Sequence, residues 1–459
     1  MHRNNPVGRR PVVTSETILN PVAGRDDSQA SSDTRGHALI AGGGIGGLVA
    51  ALALHRIGYR VSVFEAAQEV RALGVGINLQ PHAVLFLEEL GLLDALRETG
   101  IETGSLLYVN KFGQRIWQEP RGLAAGYPVP QISIHRGELH LILYRAVLAR
   151  IGPDAVRCGA SLVGYDEDDD GVVAHFEDRR GGTRLDSLRG ELLIGADGIH
   201  SVLRRTMYPD EGPPRFSGCM LWRAITEVDS FIDGRTMVWA GHASQKFIAY
   251  PISAAASRSG RSSINWIAEL RVRAVDDPDR TPPATDWNRR VDASVFGAPF
   301  ASWSFDWLDI PALIEQAGAA YEFPMVDRDP LPGWSRGRVT LLGDAAHPMY
   351  PIGSNGASQA ILDARQLGDE LAVGHPVADA LARYDAVRRP ATAAIVAANR
   401  RQGPDEVLQI AEERSPEGFA HVHDVISQDE LESVAARYKQ TAGFDRATVE
   451  AAARRAARR

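Results

Sequence analysis

Residues 37–41, HALIA, form a short apolar run that ends in glycines, the pattern of a buried strand entering a turn. From Gly46 to Arg56 the apolar positions take a helical spacing. Residues 59–66, YRVSVFEA, make a second, valine-containing strand that closes on Glu65. Strand, turn, helix and strand in that order open a parallel, doubly wound sheet. Further along, residues 81–100 and 136–152 carry helical patterns, the second stopped by Gly152. Residues 168–178 alternate as a hairpin strand, and 190–196, GELLIGA, make another buried strand running into Asp197 and Gly198.

Between about 213 and 325 the texture changes. Aromatic residues become dense (Trp222, Trp239, Phe247, Tyr250, Trp266, Trp287, Trp303, Phe305, Trp307) and several stretches alternate as strands. This predicts a second domain built on an antiparallel sheet. VTLLGDAAH at 339–347 then returns to the strand-into-glycine pattern of the first unit. The expected fold class is therefore α/β: a discontinuous Rossmann-like domain from residues 36–212 and 330–403, some of which join the other sheet. A β-sheet domain is inserted at 213–329, and C-terminal helices cover 404–459. The terminal AAARRAARR reads as a solvated helix end. Residues 1–35 are polar and read as a disordered extension.

Composition narrows the function class. The 459 residues are 44% hydrophobic and 24% charged, ordinary for a globular chain, and the net charge of −8 argues against nucleic acid as a partner. No apolar run is long enough to span a membrane. Arg9-Arg10 lacks the apolar stretch that an export signal needs, so a cytoplasmic location is expected. Cys158 and Cys219, with no CxxC and no metal-ligand cluster, read as small apolar residues in a reducing compartment.

Chemistry concentrates in two distant glycine-rich loops. Gly42, Gly44 and Gly47 satisfy G-x-G-x-x-G, with Ile45 and Gly46 inside the motif, between a predicted strand and a predicted helix. Glycines there permit a tight turn and let the backbone approach a pyrophosphate, while the helix N-terminus faces the anion. Glu65, ending the next strand, is placed to accept from an adenosine ribose and would repel a 2′-phosphate. The ligand expected is FAD or NAD rather than NADP. The second loop, GDAAHPMYPIGSNGASQAILDA at 343–364, puts Gly353, Ser354, Asn355, Gly356 and Ala357 before a good helix.

Together with IGADGIHSVLR at 194–204, these stretches resemble the three motifs of the single-component FAD-dependent aromatic hydroxylases, the salicylate and para-hydroxybenzoate hydroxylase family. The resemblance covers roughly residues 37 to 400. RALGVGINLQPHAV (71–84), SIHRGELHLIL (133–143), MLWRAITE (220–227) and YEFPMVDRDPLPGW (321–334) are similar to its phenazine-modifying branch. It implies bound FAD, transient NADH or NADPH, and hydroxylation of an aromatic acid by oxygen through a flavin C4a-hydroperoxide, with or without decarboxylation.

In that scheme Asp197 and Gly198 hold the pyrophosphate side, Asp344 the ribityl chain, and Arg136 contacts the flavin. The loop through Pro351, Gly353, Asn355 and Gly356 faces the ring. Trp222, Arg223 and Tyr250 are the substrate-facing candidates, and no metal or protein nucleophile is needed. His347 reads as structural. A monomer or homodimer is expected. An FAD oxidase or reductase of the same fold, or a non-catalytic flavin-binding regulator, is the alternative. One departure stands out: many members have Gly-Gln-Gly where this chain has Gly353-Ser354-Asn355-Gly356.

Overall fold

The structure, a computed structural model, describes residues 35–274, 277–283 and 289–458. The expected N-terminal extension, apart from Arg35, and Trp287 lie outside them. His37–Ala41 is buried along its whole length and lies inside a six-stranded sheet. The order is Ser335–Arg336, Val339–Leu341, Leu192–Gly195, His37–Ala41, Arg60–Glu65, Val156–Cys158. Every neighbour is parallel except the first pair. A strand covered on both faces has no polar face to present, which is why HALIA and LLIG are unbroken apolar runs. Val339–Leu341 therefore comes back after the intervening sheet to pair with Leu192–Gly195.

Helix Ile45–Arg56 packs on helix Gly356–Ala372, so the two glycine loops lie at the starts of neighbouring helices. The single helix expected over 81–100 is two, Pro81–Glu89 and Leu93–Thr99. Gly91 between them sits at φ +66°, a left-handed value that breaks the helical ladder. The hairpin strand Gly171–Asp178 pairs with Ala160–Asp168, and Phe176 stacks on Phe64 at 3.8 Å.

The second sheet has eight strands: Arg290–Asp292, Ala319–Asp327, Arg215–Val228, Ser262–Arg271, Gln245–Pro251, Thr236–His242, Ser105–Val109 and Arg115–Pro120. Its last two come from the first stretch of chain, and Ser105–Val109 runs parallel to Thr236–His242. The dense aromatics are mostly its core. Trp266 is fully buried beside Phe247, and Trp222 stacks on Phe296 with centroids 5.1 Å apart.

The C-terminal residues form helices Glu406–Arg414, Gln428–Thr441 and Arg446–Ala456. Val407, Leu408 and Ala411 pack with Trp239 and Tyr108 of the second sheet. The same junction holds a buried ion cluster. Lys246 lies 2.5 Å from Asp405 and 3.3 Å from Glu269. Burial works against the Lys246 charge, but these two carboxylates more than offset it and raise its pKa. Burial raises the Glu269 carboxyl.

Removing one partner of a buried pair leaves an uncompensated charge, at a cost of about 3–5 kcal/mol. Lys246→Met is expected to lower unfolding stability by that amount, measured by denaturant unfolding of the flavin-loaded protein. A loss below about 1 kcal/mol would show that the carboxylates do not depend on the lysine.

Candidate active site

Gly42 holds φ +108°, and a Cβ there would fall 2.2 Å from the Ala196 carbonyl. At Gly47 a Cβ would fall 2.0 Å from the Gly42 carbonyl. Both glycines are forced by backbone-on-backbone packing. Gly44 differs: a Cβ there would meet nothing within 4 Å, because this residue borders an open cavity. The first-turn N–H groups after it have no intrahelical acceptor and leave the helix's positive end facing that space. Glu65 spans the loop, with Gly43 N–H donating to Oε2 at 2.8 Å and Ala67 N–H to Oε1 at 2.7 Å. Each oxygen keeps a lone pair for another donor.

Asp197 accepts from Val202 N–H at 2.7 Å and so helps start helix Val202–Met207. Burial raises its carboxyl above the usual range, and its Oδ1 has no partner. Gly198, at φ +77°, borders the cavity. A few residues on, buried Arg204 donates to the Ala345 and Ala346 carbonyls at 3.0 and 2.8 Å. The second motif is thereby bound to the third.

In the third motif, Gly343 N–H donates to Asp363 Oδ2 at 3.0 Å and turns the chain at φ +60°. Asp344 then points into the cavity, exposed to it yet enclosed by protein, and takes no hydrogen bond from the described residues. That enclosure raises its carboxyl, opposed by the His347 and Arg136 charges. Asp363 also pairs with His347 at 2.5 Å and Arg388 at 2.7 Å. Burial would raise Asp363, but the His347 and Arg388 charges prevail and hold it at about 2.

The cavity, about 370 Å³, brings together Gly44, Ile45, Gly46, Gly198, Asp344, Pro351, Asn355, Gly356 and Ala357 on its cofactor-loop side. Arg136, Arg223 and Tyr250 border it from the other elements. Gly42, Gly47, Glu65 and Asp197 stand behind this lining. Gly353 does not border the cavity; its Cα abuts Tyr438, where a Cβ would fall 2.2 Å from the hydroxyl. Trp222 is a correction. It lies on Arg215–Val228 next to Leu221 and Arg223, so the strand's two-residue alternation turns it to the opposite face. There its indole N–H donates to Glu322 at 3.0 Å.

Arg223 is half-buried at the cavity wall, and desolvation there lowers its pKa, countered by the Tyr250 hydroxyl beside it. It donates to the Gly76 carbonyl at 3.2 Å, and its Nε has no partner. Burial likewise pushes Tyr250 up to about 12. Gly76, Ile77, Asn78 and Met349, absent from the sequence candidates, also line the cavity. Gly76 is pressed against Asn265, whose Oδ1 accepts its N–H at 2.6 Å.

The family profile described as "FAD binding domain" matches residues 35–399. Phenazine 1,6-dicarboxylic acid hydroxylase PhzS of Lysobacter antibioticus is 47% identical over 391 residues, spanning 85% of this chain and 95% of its own. The chain belongs to the FAD-dependent aromatic hydroxylases. The aurachin C monooxygenase/isomerase of Stigmatella aurantiaca is 34% identical over 76% of this chain and 84% of its own. Klebsiella pneumoniae HpxO complexed with FAD and uric acid shares the fold at a TM-score of 0.68 and 24% identity, covering 89% of this chain and 96% of that one.

FAD is the cofactor of this hydroxylase, and the cavity suits it. Gly44 leaves room at a helix start, Asp344 offers an uncommitted carboxylate, and the buried Asp197 Oδ1 and Arg223 Nε lack partners.

Asp363→Asn would leave the buried Arg388 and His347 without their shared anion. The expected loss is about 3–5 kcal/mol of stability, with release of flavin on gel filtration. Because its folded pKa is depressed, the Asp363 contribution is present above pH 3.8 and lost as pH falls through about 2. The wild-type and variant stability difference should therefore shrink as pH falls from 3.8 through about 2.

Proposed function

We propose that one FAD spans the cavity and that the enzyme hydroxylates a flat aromatic acid of the phenazine-carboxylate type at the flavin ring. Three motifs separated by up to about three hundred residues border one cavity, and that convergence carries the reading. Residues 42–47 and Glu65 take the ADP half, with Asp197 and Gly198 on the pyrophosphate side. Asp344 accepts from ribityl hydroxyls, and residues 351–357 face the ring. Bound there, FAD supplies two-electron reduction by NADH or NADPH and activation of oxygen for ring hydroxylation.

The protein supplies orientation and charge. Arg136 and Arg223, two cations at the cavity, oppose negative charge gathered on the ring edge, and the N–H groups starting Gly356–Ala372 add to them. Ile267, Leu342, Met349 and Pro351 form an apolar lining that keeps water from the reacting atoms. Arg223 and Tyr250 stand where a substrate would meet the ring. The phenazine assignment is supported by the 47% identity to PhzS, whose named substrate is a phenazine dicarboxylic acid. A cytoplasmic monomer or homodimer belongs to the same reading, and no described helix is long and apolar enough to cross a membrane.

Under nitrogen, NADH or NADPH is expected to bleach the bound flavin, and phenazine-1-carboxylate to accelerate the bleaching. Admitting air should yield a hydroxylated product, with or without carbon dioxide. A flavin that stayed oxidised with both nucleotides would sink the hydroxylase reading. Asp344→Ala should weaken FAD binding about 10- to 100-fold, the worth of a hydrogen bond to a charged group. Fluorescence titration of the apoprotein with FAD measures it.

A further inference from the structure

Helix Gly356–Ala372 starts at the cavity without a cap. Asn355 occupies its N-cap position, and asparagine is among the best capping residues, its side-chain oxygen accepting from a first-turn N–H. Here no side chain caps the helix. Asn355 holds φ −104° and ψ −20°, a helical conformation rather than the extended one from which capping is made. Its amide nitrogen donates instead to the Gly353 carbonyl at 3.3 Å and the Tyr438 hydroxyl at 3.1 Å. Its Oδ1, the atom that caps a helix, is buried and has no partner.

An unsatisfied acceptor thus lies beside unsatisfied donors. The first-turn N–H groups of a helix have no intrahelical acceptor, and Gly356 and Ala357 border the cavity. A Cβ at Gly356 would meet nothing within 4 Å, so this helix start is open. Keeping such groups apart is unfavourable, so the loop must be held from outside. On one side Gln80 donates from its amide to the Gly353 carbonyl at 3.3 Å and from its backbone to Ser358 Oγ at 3.0 Å. On the other side stands Tyr438, 83 residues along the chain from Asn355. Its hydroxyl has Asn399 Oδ1 at 2.9 Å and the Ile352 carbonyl at 3.1 Å as acceptors, and its ring abuts Gly353.

We propose that Tyr438 is a positioning residue for the flavin ring: by holding the Asn355 amide it keeps Asn355 from capping helix Gly356–Ala372 and leaves the first-turn N–H groups to the anionic edge of the ring. This rests on the reading that residues 351–357 face the ring, and adds the device that keeps the helix start available to it. Negative charge gathers on the ring edge when the flavin is reduced. Uncapped N–H groups at the positive end of a helix favour that charged form over the neutral one. A cap would turn one of these donors away to the Asn355 oxygen.

The midpoint potential of the bound flavin is measured against a reference dye, and FAD affinity by fluorescence titration of the apoprotein. Tyr438→Phe keeps the ring against Gly353 and removes the hydroxyl. It is expected to weaken binding of reduced relative to oxidised flavin about 10-fold, lowering the potential by about 30 mV. Affinity for oxidised FAD should change less than about threefold, because the ADP half is held elsewhere. Asn355→Ala, which cannot cap, should stay within about twofold of the wild type, about 10 mV. The double variant of Tyr438→Phe with Asn355→Ala should return to the Asn355→Ala value, a recovery that lost packing cannot give. Asn355→Ser keeps Tyr438 but supplies a cap too short to reach it, and its potential should fall as in Tyr438→Phe.

A Tyr438→Phe potential within about 10 mV of the wild type overturns the inference. So does a double variant no higher than Tyr438→Phe alone. If Tyr438→Phe fails to retain flavin, the two Asn355 variants decide, and a serine variant no lower than the alanine one overturns it. Each of these results leaves the hydroxylase reading standing, whereas a wild-type protein that binds no FAD removes both.

Discussion

The site depends on one buried carboxylate. Asp363 is an ordinary polar position in helix Gly356–Ala372, yet it receives the Gly343 N–H, the His347 ring and the Arg388 guanidinium at once. Gly343 opens the turn after strand Val339–Leu341 of the parallel sheet, and Arg388 belongs to the long helix Val377–Arg400. The carboxylate thus ties strand end, loop and two helices together at the point where Asp344 must turn into the cavity. Three donors satisfy it, which is why an ion so deeply buried remains ionised. Arg204 repeats the device from the other side, holding the carbonyls of the next two loop residues. The free carboxylate of Asp344 is positioned by residues that never reach the cavity.

The second sheet solves a different problem. It must present a solid aromatic core to one side and a binding surface to the other, and the two-residue period of a strand does both with one sequence. Along Arg215–Val228, Met220, Trp222 and Ala224 join the aromatic core, whereas Leu221 and Arg223 lie on the other face, where Arg223 borders the cavity. Two arginines on this surface have an unpaired Nε, Arg223 beside the flavin cavity and Arg271 beyond it.

Where the backbone imposes the residue type, the sequence is readable. Gly42 and Gly47 admit no Cβ, and the short runs HALIA and LLIG, each leading into glycine, are strands covered on both faces. Trp222 shows where this stops: alternation tells that neighbours face apart but not which side is the cavity, and aromatic character fits either. Asp363, Arg388 and Tyr438 gave no signal, because each sits at an unremarkable helical position and gains its role from contacts across long stretches of chain. Gly76 was visible as a glycine, but only its contact with Asn265 explains why it must be one.

The unusual Ser-Asn in the loop before helix Gly356–Ala372 is explained by those distant contacts. Asn355 borders the cavity, but its side chain turns away and is fully buried, donating to the Gly353 carbonyl at 3.3 Å and the Tyr438 hydroxyl at 3.1 Å. Tyr438, from helix Gln428–Thr441, in turn has Asn399 Oδ1 at 2.9 Å and the Ile352 carbonyl at 3.1 Å as acceptors for its single hydroxyl proton. Its ring fills the space that a side chain at position 353 would need. Ser354 is left at φ +53°, a strained value for a residue with a Cβ, and persists because its neighbours are fixed on both sides. The short amide of Asn355 makes this anchor, so the C-terminal helices hold the loop in shape from behind. What borders the cavity beside it is the helix start at Gly356 and Ala357, and the departure from Gly-Gln-Gly changes how the loop is held while leaving that helix start at the cavity.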